Sequence, residues 1–190
     1  MAGSFYGGSC PYSSRVTEVG IMEGISGFSP ITAIVTGSDS GIGRATAVAM
    51  AKSGLDVGIT WHSDQDGAER TAAEVRNQGR LAVMRRLDTT DVPGGAAVVE
   101  SPAEELGGLD VFINKAGTGD GTKFLDLDIE TWTKTLDANL NGAFVCLQAA
   151  ARRVVQAGTG GRIVFVTSVH EFQPRIGAAA FDASKHALGG

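Results

Sequence analysis

The stretch that decides the fold is Ile31 to Gly54, ITAIVTGSDSGIGRATAVAMAKSG. A β-branched apolar run ends at Thr36, three glycines follow at Gly37, Gly41 and Gly43, and an amphipathic run then places Ile42, Ala45 and Ala49 at helical spacing. A string of glycines is weak evidence alone, since the chain has 27 of them and turns need them. The order strand, glycine turn, helix is more specific. Glycine lets the backbone approach a ligand closely, and the free N–H groups and dipole of a helix N-terminus suit a pyrophosphate. At this point a plain strand-to-helix turn is still an alternative.

Outward from this turn the same alternation recurs. Short apolar runs over 31–36, 55–61, 81–87, 109–114 and 161–167 alternate with stretches that suit helices over 42–53, 65–78, 94–106, 139–157 and from 178 to the end. This rhythm predicts one α/β domain over 31–190, a Rossmann-like, doubly wound parallel sheet covered by helices on both faces. In the fourth helix Phe144, Leu147, Ala151 and Val154 recur at spacings of three and four and predict one apolar face, with Arg152 and Arg153 away from its centre. Residues 1–30 are rich in Gly and Ser, follow neither period and read as a flexible leader.

A chain of 190 residues, 43% hydrophobic and 19% charged, suits one globular domain. The net charge of -5 excludes nucleic acid and anionic membrane as partners, because both require a basic surface. No apolar run approaches the roughly 20 residues of a membrane span, and no basic, apolar signal opens the chain, so a cytoplasmic location is expected. Cys10 and Cys146 lie in unrelated contexts, which predicts neither disulfide nor metal site, and Cys146 reads as a small core residue.

The spacing Thr36-Gly37-x-x-x-Gly41-Ile42-Gly43 resembles the TGxxxGIG signature of the short-chain dehydrogenase/reductase family, and the resemblance runs from Ile31 to the last residue. Further landmarks follow in family order: Asp88 in RLDTTD, NKAG over Asn114 to Gly117 with Lys115 in place of a second Asn, Asn139 in DANLNGAF, and Ser168 in VFVTSVHEF. Singly, each has a plainer reading, Asp88 as a turn former, Asn139 as a helix cap and Ser168 as a turn hydroxyl. GITWHSD and SKHALGG are similar to bacterial oxidoreductases near the glucose dehydrogenases and 3-oxoacyl-carrier-protein reductases. The resemblance implies hydride transfer between a nicotinamide dinucleotide and a small carbonyl or alcohol. It assigns the cofactor to Thr36, Gly37, Ser40, Gly41, Ile42, Gly43, Asp88, Asn114, Ala116, Gly117 and Lys185, with Asp88 receiving the adenine amino group. It also implies a homo-oligomer built through helices 139–157 and 178 onward.

The choice of dinucleotide is read at the end of the second strand, where a carboxylate would bond a ribose 2′-hydroxyl and repel a 2′-phosphate. That strand ends in Trp61, with no carboxylate, followed by the donors His62 and Ser63. Ser40 stands where many NADP-binding relatives carry a basic residue, and Asp64 and Asp66 follow closely. The expectation is NADP(H) ahead of NAD(H).

Asn139, Ser168, position 181 and Lys185 match the family's catalytic set, yet position 181, thirteen residues beyond Ser168 and four before Lys185, is Phe181. In the family a Tyr there exchanges the proton, its phenol lowered toward neutrality by the lysine. Phe181 keeps the ring and lacks the hydroxyl. His170 is the first titratable substitute to consider, with a loop or pocket role the plainer reading, while Asp182 and His186 each lie one residue off the helix face of Phe181 and Lys185. Two functions therefore stay open: an oxidoreductase, and a cofactor-binding protein without turnover. Family members continue for two more strands past this helix, so the 161–167 strand is expected at a sheet edge.

Overall fold

A computed structural model describes residues 28–119 and 121–190. Tyr6, Cys10, Tyr12 and nearly all of the expected leader lie outside the described residues. Phe28 already packs against the core, with the Arg162 guanidinium 4.4 Å over its ring.

Five strands, β1 (Thr32–Val35), β2 (Asp56–Trp61), β3 (Ala82–Arg86), β4 (Val111–Asn114) and β5 (Arg162–Phe165), form a parallel sheet in the order β3-β2-β1-β4-β5. Strand residues alternate between faces, and here both faces are covered. Ala33, Val35, Val57, Ile59, Val111 and Ile113 pack with α1 (Gly41–Lys52) and α2 (Gln65–Asn77). Ile34, Val83 and Phe112 point the other way, against α3 (Gly95–Glu105) and α5 (Gly142–Ala157). Burial on both sides explains why the strands read as continuous apolar runs. The doubly wound α/β fold is as expected, and among the described residues β5 is an edge strand, with β3 at the other edge. The sheet order turns back between β1 and β4, which opens a crevice at the carboxyl ends of these strands, the place where this architecture receives ligands.

Two helix faces differ from the sequence expectation. In α1 the packed residues are Gly43, Ala47 and Ala51, while Ile42 is 63% exposed. In α5 they are Ala143, Cys146, Ala149 and Ala150, whereas Phe144 is 56% exposed and Leu147, Ala151 and Val154 are half-buried. The cause is close approach. A Cβ on Gly142 would lie 2.2 Å from the Thr89 carbonyl oxygen, and one on Gly43 would lie 2.1 Å from that of Gly37. Helices this near their neighbours bury small residues and turn the larger apolar ones to their flanks. Cys146 is buried as expected, and its apolar surroundings push the thiol up to about 11.

The expected 139–157 helix begins earlier. An additional helix, α4 (Ile129–Leu136), is capped by the Asp128 carboxylate, which accepts from the Thr131 N–H at 2.7 Å. A π-helical turn over Asp137–Asn141 joins it to α5. The last helix is α6 (Ala179–Gly189). Among the described residues no helix is long and apolar enough to cross a membrane.

Gly43 and Gly41 predict opposite costs for the same change. Gly43→Ala drives a methyl into turn backbone and should lower stability by about 3 kcal/mol. Gly41→Ala meets open space and carries only the penalty of its positive φ of 52°, about 1–2 kcal/mol. Urea midpoints with unchanged m-values give the comparison, and equal losses would refute the close-approach account.

Candidate active site

The crevice is built from two turns tied together by one hydroxyl. Thr36 is fully buried, and its Oγ1 accepts the N–H groups of Lys115 and Ala116, each at 2.9 Å, while donating toward Asn114 Oδ1 at 3.4 Å. The side chain of Thr36 is therefore spent inside the protein, and Asn114, 2% exposed, is likewise internal. These two expected cofactor residues shape the crevice from behind. The glycine turn is also strapped to β2. Gly37 N–H donates to Thr60 Oγ1 at 3.0 Å, Ser38 N–H to the Thr60 carbonyl at 2.9 Å, and Thr60 N–H to Ser38 Oγ at 3.1 Å. Ser38 and Thr60 had no signal in the sequence beyond being small and polar at a strand end.

The turn then presents a helix N-terminus. Arg44 N–H makes its helical bond to the Ser40 carbonyl at 3.0 Å, so the preceding amides of α1 have no partner within the helix. Ser40 is the exposed N-cap residue without a side-chain cap, and Gly41 has nothing within 4 Å of where a Cβ would stand. Such amides, at a site a side chain would obstruct, fit the diphosphate of a dinucleotide. Gly43 acts differently from Gly41, since its missing Cβ makes room for the Gly37 carbonyl of the chain itself.

A cavity of about 390 Å³ continues from Gly37 past Trp61, His62 and Ser63 to Asp88 and Gly117. His62 Nε2 lies 3.4 Å from Asp88 Oδ2. Asp88 also accepts from Thr90, through its hydroxyl at 2.6 Å and its N–H at 3.0 Å, and these bonds, helped by His62, hold the carboxyl below its ordinary range. Asp64 accepts the Gly67 N–H at 2.8 Å and faces Arg70 at 3.5 Å, so its carboxylate serves as the cap of α2. Lys115 and Lys134 line the same cavity as Asp39 and Asp88.

Beyond Gly117 lie the residues expected to do chemistry. Asn139 sits in the π-helical turn, fully buried. Its Oδ1 accepts the Thr118 N–H at 2.7 Å, and its Nδ2 donates to the Thr118 carbonyl at 2.7 Å and to Ser184 Oγ at 3.0 Å. Lys185 is 5% exposed, with Nζ donating to the Val166 carbonyl at 3.2 Å and lying 5.7 Å from the Phe181 ring centre. Burial, and then the charge of Lys115, hold its ammonium below the ordinary lysine range. Ser168 caps a short 3-10 turn over Val169–Glu171, its Oγ accepting the His170 N–H at 3.2 Å. Phe181 presents its ring between Gly119, His170 and Lys185. The fold thus gathers Lys185 and Phe181 beside Asn139 on one side and the Ser168 turn on the other. Sequence reasoning missed Thr118 and Ser184, which fix the Asn139 amide.

A glycine turn at the switch point of a doubly wound parallel sheet, with Asn139, Ser168 and Lys185 near the carboxyl ends of its strands, defines the class as a Rossmann-like α/β protein. A family model described as short chain dehydrogenase matches residues 31–190, and the chain belongs to that family of dehydrogenases and reductases. It is 48% identical over 158 residues to the uncharacterized oxidoreductase YohF of Escherichia coli, covering 83% of this chain and 62% of that protein. It is 32% identical to glucose 1-dehydrogenase 2 of Bacillus subtilis, over 81% of this chain and 60% of that one. The crystal structure of acetoin dehydrogenase from Enterobacter cloacae superposes with a TM-score of 0.82 at 47% identity, over 85% of this chain and 64% of the other. The chain thus spans less than two thirds of the length of each.

Substitutions at two positions test this arrangement. Thr36→Val leaves two amides without an acceptor and should lower stability by about 1–3 kcal/mol for each one orphaned, whereas Thr36→Ser should retain most of it. Equal urea midpoints for Val and Ser would remove the role given to the hydroxyl. Lys185→Met removes a charge whose lowered pKa makes protonation unfavourable in the folded state. Its Tm should rise by roughly 2 °C at neutral pH. The gain should shrink as pH climbs from the lowered value to the ordinary lysine value of about 10.4. A Tm below that of the unaltered chain throughout this range would contradict it.

Proposed function

We propose that the chain is an NADP(H)-preferring oxidoreductase of small carbonyls and alcohols, acting in the cytoplasm as a homo-oligomer. The observation that carries this reading is the cavity from Gly37 past His62 and Asp88 to Gly117, with Asn139 and Lys185 packed beside Gly117 at its inner end. When bound, the nicotinamide supplies a hydride donor or acceptor. The chain's residues do the rest. The α1 amides bind the diphosphate, Asp88 accepts from the adenine amino group, Ser168 Oγ donates to the substrate oxygen, and Lys185 places positive charge beside it. Acetoin is the first substrate to assay, because the 47%-identical structural relative is an acetoin dehydrogenase.

The preference for the 2′-phosphate is supported by Trp61 at the end of β2, by Ser63, and by Arg86, whose Nε donates to the His62 carbonyl at 3.1 Å beside the same pocket. Asp64 no longer weighs against it, being engaged with α2 and Arg70. NADPH should bind more tightly than NADH in a fluorescence titration, and Trp61→Asp should reverse that order. Equal or tighter NADH binding by the unaltered chain would sink the assignment. Oligomerisation is supported by Phe144 and Val155, 56% and 79% exposed on the outward side of α5, and a monomer by light scattering at micromolar concentration would remove that claim.

The alternative, a cofactor-binding protein without turnover, is motivated by Phe181. If that alternative holds, Phe181→Tyr restores a hydroxyl beside Lys185 and should raise carbonyl reduction from background on the order of 10²-fold. No gain in a protein that binds NADPH would mean that the hydroxyl is not what limits turnover.

A further inference from the structure

We propose that His170, positioned by Asp182, is the proton carrier of this site in place of the absent tyrosine hydroxyl; the inference rests on the oxidoreductase reading above. The His170 ring stands edge-on to Phe181, with centroids 5.8 Å apart and planes at 81°. Its backbone N–H bonds to Ser168 Oγ, so imidazole and serine hydroxyl share one short turn. The proton carrier is thus packed against the ring from which the hydroxyl is missing.

The neighbours of the imidazole set its tautomer. Nδ1 lies 3.1 Å from the Gln173 carbonyl, which can only accept, so Nδ1 carries a hydrogen and the neutral ring keeps its lone pair on Nε2. Behind Nδ1 stands Asp182, with 8% of its surface exposed. Oδ2 accepts the Arg175 N–H at 2.8 Å, whereas Oδ1 is buried with no hydrogen-bond partner, 3.5 Å from His170 Nδ1. A buried carboxylate oxygen left unsatisfied is costly and calls for an explanation. A cation on the imidazole supplies one, because protonation at Nε2 places a positive ring 3.5 Å from that carboxylate oxygen.

The proton step balances on these groups. As an alcohol is oxidised, its O–H bond breaks and the proton bonds to Nε2. The imidazolium so formed is neutralised by Asp182, while the hydride on carbon leaves to the oxidised nicotinamide. In the reverse direction the Nε2–H bond breaks and the proton goes to the carbonyl oxygen as hydride reaches carbon. Asp182 acts through His170 and is a positioning residue.

The test uses the full chain and its three histidines. Nitrogen-15 NMR should find neutral His170 as the Nδ1–H tautomer, and Asp182→Asn should increase the share of the other tautomer. With acetoin as probe, assayed with NADP+ and with NADPH, His170→Ala should lower turnover on the order of 10²-fold with NADPH affinity unchanged. Added imidazole should restore at least a tenth of the lost rate, and Phe181→Tyr in the His170→Ala background should bypass the loss. An Nε2–H tautomer in the unaltered protein, loss without imidazole rescue, or turnover only after Phe181→Tyr would overturn the role of His170. Failure to bind NADPH would overturn the oxidoreductase reading itself, which is a separate result.

Discussion

The hydroxyl of Thr36 holds the crevice open in one shape. By accepting from Lys115 and Ala116 it ties the turn after β1 to the turn after β4, the two strands between which the sheet order reverses. Everything on the ligand side depends on that tie. The glycine turn on one side carries the amides of α1, and the 115–117 turn on the other leads to Thr118, which fixes Asn139. Leaving these two part-buried amides without an acceptor costs stability, so sequence changes at position 36 act on the site through the fold.

Close approach is the second organising constraint. Gly43 and Gly142 are required by the chain's own carbonyls, at Gly37 and Thr89, and a ligand need not be invoked for either. Gly58 belongs with them: a Cβ there would come within 2.8 Å of Ile34 and 3.3 Å of Pro102, so the proline inside α3 passes over a strand position kept bare. The glycines thus divide by role. Gly37 and Gly41 adopt positive φ to shape the turn, while Gly43 lets the helix sit against it.

The doubly wound parallel sheet and the strand–glycine turn–helix order were legible in the sequence because strands buried on both faces are long apolar runs and the turn falls at the end of one. The helix faces were not. Reading Ile42, Phe144 and Leu147 as core follows side-chain size, whereas tight helix packing selects Gly and Ala and leaves larger residues on the flanks. The helix α4 escaped because it is short and polar, although Asp128 at its N-cap was a usable sign. Thr36 and Asn114 belong to the signature, but their work is internal, which spacing alone does not reveal. Asp182 looked like a misplaced neighbour of Phe181, and only the fold turns it toward His170.

The central claim is that the open amides of α1 and the 115–117 turn hold one dinucleotide between them. An amide NMR titration of the chain with NADP+ measures this directly. The resonances of Gly41, Ile42, Gly43, Ala116 and Gly117 should shift together along one saturable curve, while those at the opposite end of the sheet, such as Asp56 and Asp110, stay in place. Saturating NADP+ that leaves the α1 amides unmoved, or that moves them independently of Ala116 and Gly117, would contradict the account.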